Sequence, residues 1–171
     1  MNFQYIEALQ LLERTPDTLT QLLSGLPLEW LRCNEGNESW NSLEVVAHLI
    51  ECEKKNWIPR IQSILSSHEN QDFPPFDRYS HLGKEMELDS LLQKFKEKRQ
   101  ESLLTLNTIV KQDSDFERTG IHPEFGSVTL RQLLSTWVVH DLTHLNQITR
   151  VLAKRYQEDV GPWKAYLSIL K

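Results

Sequence analysis

Four stretches of roughly twenty residues repeat apolar side chains at three- and four-residue intervals, and β-branched alternation is nearly absent. That pattern commits most of the chain to amphipathic helices, each of which must bury its stripe against the others. The first stretch runs from Phe3 to about Ser24, with Tyr5, Leu9, Leu12, Leu19, Leu22, Leu23 and Leu26 on one face. Thr15-Pro16-Asp17 predicts a kink or a restart capped by Thr15, and Gly25 and Pro27 end the stretch. The second opens at Asn41 or Ser42 and carries Val45, Val46, Leu49, Ile50, Trp57, Ile58, Ile61 and Leu65, so Pro59 is expected to bend it rather than end it. A loop from His68 to Gly83 follows. The third spans Leu88 to Val110, with Lys94, Lys98 and Glu101 expected outward. A loop from Asp113 to Ser127 leads to the fourth, which opens at Thr129 and continues to Tyr156, with Leu133, Trp137 and Leu145 expected in the core. The expected architecture is all-α, a single four-helix-bundle domain over residues 1–171.

Charge and composition narrow the function classes. With 19 Lys and Arg against 24 Asp and Glu, the formal net charge is −5, and no basic run exceeds Lys54-Lys55, which argues against a nucleic-acid footprint. No apolar run is long enough to span a bilayer, and no signal-peptide pattern opens the chain. Cys33 and Cys52 are the only cysteines, so a cytoplasmic protein with reduced thiols is expected.

The chemistry concentrates in His140-Asp141-Leu142-Thr143-His144, inside the fourth apolar-periodic stretch. Histidines four apart stand one helical turn above each other, so both imidazoles can converge on one ion. His48 lies on a mostly apolar turn of the second stretch, between Ala47 and Leu49. Three imidazoles from two helices would give a divalent metal three nitrogen ligands and leave a position for water or substrate, the arrangement of a reactive site. Other metal patterns fit less well. None of these histidines has Glu three residues before it, as a di-iron bundle needs. Asp141 stands where a zincin has Glu, and two scattered cysteines do not make a structural zinc site.

Neighbouring residues carry plainer expectations. Cys52 reads as a small buried residue, and Arg99 as part of a solvated face rather than a carboxylate binder. Asp141 could orient a histidine or pair at the surface. His68, His81 and His122 are expected to be exposed in loops, with Trp40 packing before the second helix and Trp163 pinning the tail.

The run Trp40-Asn41-Ser42 through Glu44 to Leu49, with Glu53, Trp57 and Arg60-Ile61, resembles the DinB/YfiT-like metal-binding bundle proteins. The likeness resumes at Phe125 to Leu130 and continues through Trp137, His140, His144, Gln147-Ile148, Tyr156 and Val160-Gly161-Pro162-Trp163. The resemblance implies a four-helix bundle, often a homodimer, that holds zinc or nickel with three histidines, here His48, His140 and His144. It further implies a small-molecule substrate, with thiol S-transfer from a low-molecular-weight thiol such as bacillithiol to an electrophile as the leading activity. A metal-dependent hydrolase and a non-catalytic stress-response module are the alternatives.

Overall fold

The computed structural model describes residues 3–36, 39–66, 71–83 and 87–171. In chain order the elements are α1 (Tyr5–Leu23), α2 (Leu28–Leu31), α3 (Ser42–Lys55), α4 (Trp57–Leu65), α5 (Leu88–Ile109), a 3-10 turn (Asp113–Glu117), β1 (Thr119–His122), β2 (Gly126–Thr129) and α6 (Leu130–Lys154). Two further 3-10 turns, Gly161–Tyr166 and Ser168–Leu170, complete the tail.

α1 packs against α5 and α6, and α3 packs against the same two helices. α1 and α3 therefore lie across the bundle from each other, as do α5 and α6, while α3 and α5 are neighbours, a crossover arrangement rather than a simple up-and-down one. α3 and α6 run antiparallel. The facing pairs His48–His144 and Cys52–His140 climb α3 while descending α6, and Trp57, at the start of α4, continues the series against Trp137.

Helix starts follow the sequence closely. Asn41 caps α3 through a reciprocal box, Glu44 N–H donating to Asn41 Oδ1 and Asn41 N–H to the Glu44 carboxylate. Thr129 and Gln132 do the same for α6. The two prolines act differently from each other. Pro59 does not merely bend one helix: the chain breaks at Asn56 (φ −108°, ψ −66°), separating α3 from α4. The physical cause is the ring, which clashes with the carbonyl four residues back, at Lys55, and places Pro59 in the first turn of α4, where no intrahelical donor is needed. Pro16, in contrast, neither restarts nor ends α1, and Thr15 is not a cap: its hydroxyl donates back to the Leu11 carbonyl. The Leu12 carbonyl, which loses its helical donor to Pro16, accepts instead from Arg99 Nη1 at 2.7 Å.

Arg99 is thus a core residue, 1% exposed, and not part of a solvated face. Its Nε and Nη2 donate to Glu53, and its Nη1 and Nη2 to Asp141. Asp141 is as buried as Arg99, so it neither orients a histidine nor pairs at the surface. On α1, α3, α5 and α6 this polar cluster falls between two apolar layers. One contains Leu19, Leu49, Phe95 and Ile148, the other Leu12, Trp57, Leu106 and Trp137. Leu133 and Trp137 are buried as expected, whereas Leu145 is only partly buried because it lies on the flank of the α6 stripe, beside Asp141 and Ile148 rather than between them. Lys94 and Glu101 are exposed, and Lys98 is half-buried.

The expected loop before α6 contains the 3-10 turn and the β1–β2 hairpin, paired from Thr119↔Thr129 to His122↔Gly126. The segment 71–83 is stitched to this hairpin by Phe73 N–H to Ile121 O and Ile121 N–H to Gln71 O, both 2.9 Å. Gly120 makes the join possible: a Cβ there would stand 2.5 Å from Phe73 Cε1 and 2.9 Å from Ile64 Cγ1. Trp163 is 69% exposed and does not pin the tail.

Candidate metal centre

α3 and α6 bring His48, His140 and His144 together at the level of the polar layer. His140 Nε2 lies 3.3 Å from His48 Nε2 and 3.2 Å from His144 Nε2. These spacings can be compared with the edge of a tetrahedron. Nitrogen ligands at about 2.0–2.1 Å from zinc stand roughly 3.3–3.4 Å apart, so the His48–His140 and His140–His144 pairs each match one such edge.

The outer ring nitrogens fix the tautomers of two rings. His48 Nδ1–H donates to the Arg78 carbonyl at 3.2 Å, and His144 Nδ1–H donates to Gln147 Oε1 at 2.9 Å. Both Nε2 atoms therefore present lone pairs to His140 Nε2, and no single hydrogen on His140 lies along both directions. A further proton is disfavoured. Burial, then the neighbouring His144, push His48 down to about 3. Burial, then His144 and His48, push His140 down to about 2. His144 is also lowered by burial, against the opposing pull of Gln147 and Asp141. Uncharged imidazoles with converging lone pairs are what a divalent cation requires of its ligands.

Cys52 joins the cluster from one turn along α3. Its Sγ is 3.4 Å from His48 Nε2 and 4.0 Å from His140 Nε2, and the ligand atoms of His48, Cys52 and His140 all lie within 4.8 Å of one another. It is fully buried, as expected, and burial pushes its thiol upward, so it is held protonated.

Aromatic rings fix the imidazoles. Trp40 packs on His48 with centroids 4.7 Å apart, and Trp57 meets His140 edge-on at 5.1 Å while stacking on Trp137 at 5.3 Å. His81 is 1% exposed and not a surface loop histidine. The stitched 71–83 segment folds it inward to 4.6 Å from Trp40 and 5.4 Å from His48. His122 is half-buried and stacks on Phe125, and His68 lies outside the described residues.

The histidines form part of the wall of an open cavity of about 730 Å³. Phe73, Phe76, Arg78 and Tyr79 reach it from the 71–83 segment, and His122 and Phe125 from the hairpin. Sequence periodicity gave no sign of these contributors, because neither segment carries one. A signal did exist on the second helical stretch: His48, Cys52, Asn56 and Arg60, spaced four apart, all line the cavity despite the break at Asn56.

Comparison with known proteins agrees with this architecture. YfiT from Bacillus subtilis, described as a probable metal-dependent hydrolase with an unusual four-helix bundle topology, is similar with a TM-score of 0.76 and 25% sequence identity, covering 90% of each chain. No curated protein matches the chain. The DinB superfamily model matches residues 11–148, a span that holds the polar layer and all three histidines. On that match, carried by most of its length, the chain belongs to the DinB superfamily.

Proposed function

We propose that the protein is a metal-dependent enzyme in which His48, His140 and His144 hold one divalent cation, zinc or nickel, and which transfers a low-molecular-weight thiol onto an electrophile. The observation that carries this reading is the meeting of uncharged imidazole lone pairs at the wall of a cavity with no Asp or Glu lining it among the described residues. A cation held there supplies Lewis-acid stabilisation of an anionic nucleophile, and a thiol, with an ordinary pKa of about 8.5, is the nucleophile that needs least further help. Each residue then has a definite task. Arg78 O and Gln147 Oε1 keep the Nε2 lone pairs of His48 and His144 turned inward. Trp40 and Trp57 hold the rings in place and exclude water from behind them. In the reaction the substrate sulfur forms a bond to the electrophilic carbon, the leaving group departs with that carbon's bonding pair, and the thiol proton passes to solvent through the open side.

A second reading is hydrolysis, with water in place of the thiol, and the description of YfiT as a probable metal-dependent hydrolase favours it. The experiment that separates the two presents zinc- or nickel-loaded protein with a thiol–electrophile panel and with ester and amide panels. Thiol conjugation abolished by His144→Ala supports the transferase, and ester or amide turnover with the same sensitivity supports the hydrolase. Metal retained with no turnover in any panel assigns the protein to non-catalytic binding. The reading includes a homodimer, for which α1 and α5 offer the exposed apolar side chains Ile6, Leu11 and Leu104.

A further inference from the structure

The cavity has a charge bias opposite to that of the whole molecule. The chain carries a formal net charge of −5, yet among the described residues its lining includes two arginines, Arg60 and Arg78, and no carboxylate. Among the described residues Arg99, Arg131 and Arg150 are each matched by Asp or Glu, and Arg14, Arg32, Arg118 and Arg155, which have no such ion pair, lie outside the cavity lining. Arg60 and Arg78 have no such match among the described residues. Arg60 is half-buried, its guanidinium 5.2 Å from the centre of the Phe73 ring, and its Nε is buried with no hydrogen-bond partner. Arg78 stands at the rim, 5.9 Å from Trp40 and 5.2 Å from Tyr79 by the same measure. An aromatic face steadies a guanidinium but leaves its in-plane donors free, and those donors match the two oxygens of an oxyanion. Burying such donors is costly unless something accepts from them.

We propose that Arg60 and Arg78 form an anion subsite, so that the substrate is a small organic anion whose carboxylate or phosphate group they hold while an apolar portion lies against Phe73 and Phe76. The proposal rests on the cavity being the substrate site, and it deepens that reading by naming a chemical class. Arg60 and Arg78 belong to different elements, α4 and the 71–83 segment, so an anion bridging them also ties that segment to the bundle. Lysine at either position would keep the charge but lose the planar fork.

Calorimetric titration on the metal-free protein tests this directly, with hydrocinnamate, its neutral amide and inorganic phosphate as probes. The expected result is saturable binding of hydrocinnamate, roughly tenfold or more tighter than the amide, competed by phosphate and weakened by salt. Arg78→Gln, at an exposed position, should lose roughly tenfold in carboxylate affinity and none for the amide. Arg60→Gln should do the same, with Arg60→Lys recovering part of the loss and a thermal melt confirming that each variant folds. Equal affinity for acid and amide, binding unchanged in both Gln variants, absence of saturable binding, or binding seen only with metal present would each overturn the subsite. Zinc uptake by the same proteins keeps the two ideas apart. Its absence from the unmutated protein would count against the metal centre alone.

Discussion

Replacing Arg99 by Ala should destabilise the fold more than any surface substitution and in a pH-dependent way. The guanidinium makes five hydrogen bonds: two to Glu53, two to Asp141 and one to the Leu12 carbonyl. All three charged side chains are at most 4% exposed, so water does not replace the lost donors without opening the core. Breaking a buried ion pair by removing one partner costs about 3–5 kcal/mol. Here two carboxylates and the carbonyl freed by Pro16 lose their partner together, which places the expected loss at the upper end of that range. For a chain of this length each kcal/mol lowers the melting temperature by about 2–4 °C, so a drop of roughly 10–20 °C is expected by differential scanning calorimetry of metal-free protein. The sign of the pH dependence follows from the carboxylates. Burial already raises Glu53, and without the opposing Arg99 its carboxyl would be protonated more readily folded than unfolded. The variant's stability deficit is therefore full at neutral pH and shrinks as pH falls through the raised Glu53 value. Substituting Glu53→Leu and Asp141→Leu alongside Arg99→Met, which removes every charge at once, should recover much of the loss. A melting temperature of Arg99→Ala within about 2 °C of the unmutated protein would refute this account of the polar layer.

Three further outcomes are expected. Metal-free protein should lose stability as pH falls from about 6.5 toward 3, because His48 and His140 are depressed in the fold and bind protons only after unfolding. Each contributes a slope of at most about 1.4 kcal/mol per pH unit, and a flat melting profile between neutrality and mild acid would contradict it. Gly120→Ala should cost about 1–3 kcal/mol, since its Cβ would overlap Phe73 and Ile64, and should loosen the 71–83 segment over the cavity; unchanged chemical denaturation would contradict the packing. Sedimentation over a wide dilution range should show a species near twice 20.1 kDa, whereas a single species of monomer mass throughout rejects the dimer.

What was legible in the sequence had a period, and what was not had none. The α3 and α6 caps, the α6 apolar stripe and the shared face of His140 and His144 all follow from local chemistry and 3.6-residue spacing, so they can be read without tertiary information. Pro16 and Pro59 show where that ends. Both remove a helical donor, but α1 continues through Pro16, where a buried Arg99 takes over the freed Leu12 carbonyl, while the α3–α4 junction has room to break. Arg99 and Asp141 were misplaced for the same reason: a charged side chain reads as solvent-facing unless its partners, here on α1, α3, α5 and α6, are known to meet. His81, Phe76 and Arg78 were hidden because their segment is positioned by two backbone hydrogen bonds to Ile121, far along the chain. Arg60 was within reach, since it extends the His48, Cys52, Asn56 series by one more turn.

The central claim is that His48, His140 and His144 share one divalent cation. Anomalous diffraction from crystals grown with zinc, paired with metal analysis of the unmutated protein, tests it most directly. The account predicts one anomalous peak per chain within about 2.0–2.1 Å of all three Nε2 atoms, and loss of bound metal in His144→Ala. An absent peak, or a cation held by His48, Cys52 and His140 with the His144 ring turned away, would contradict it.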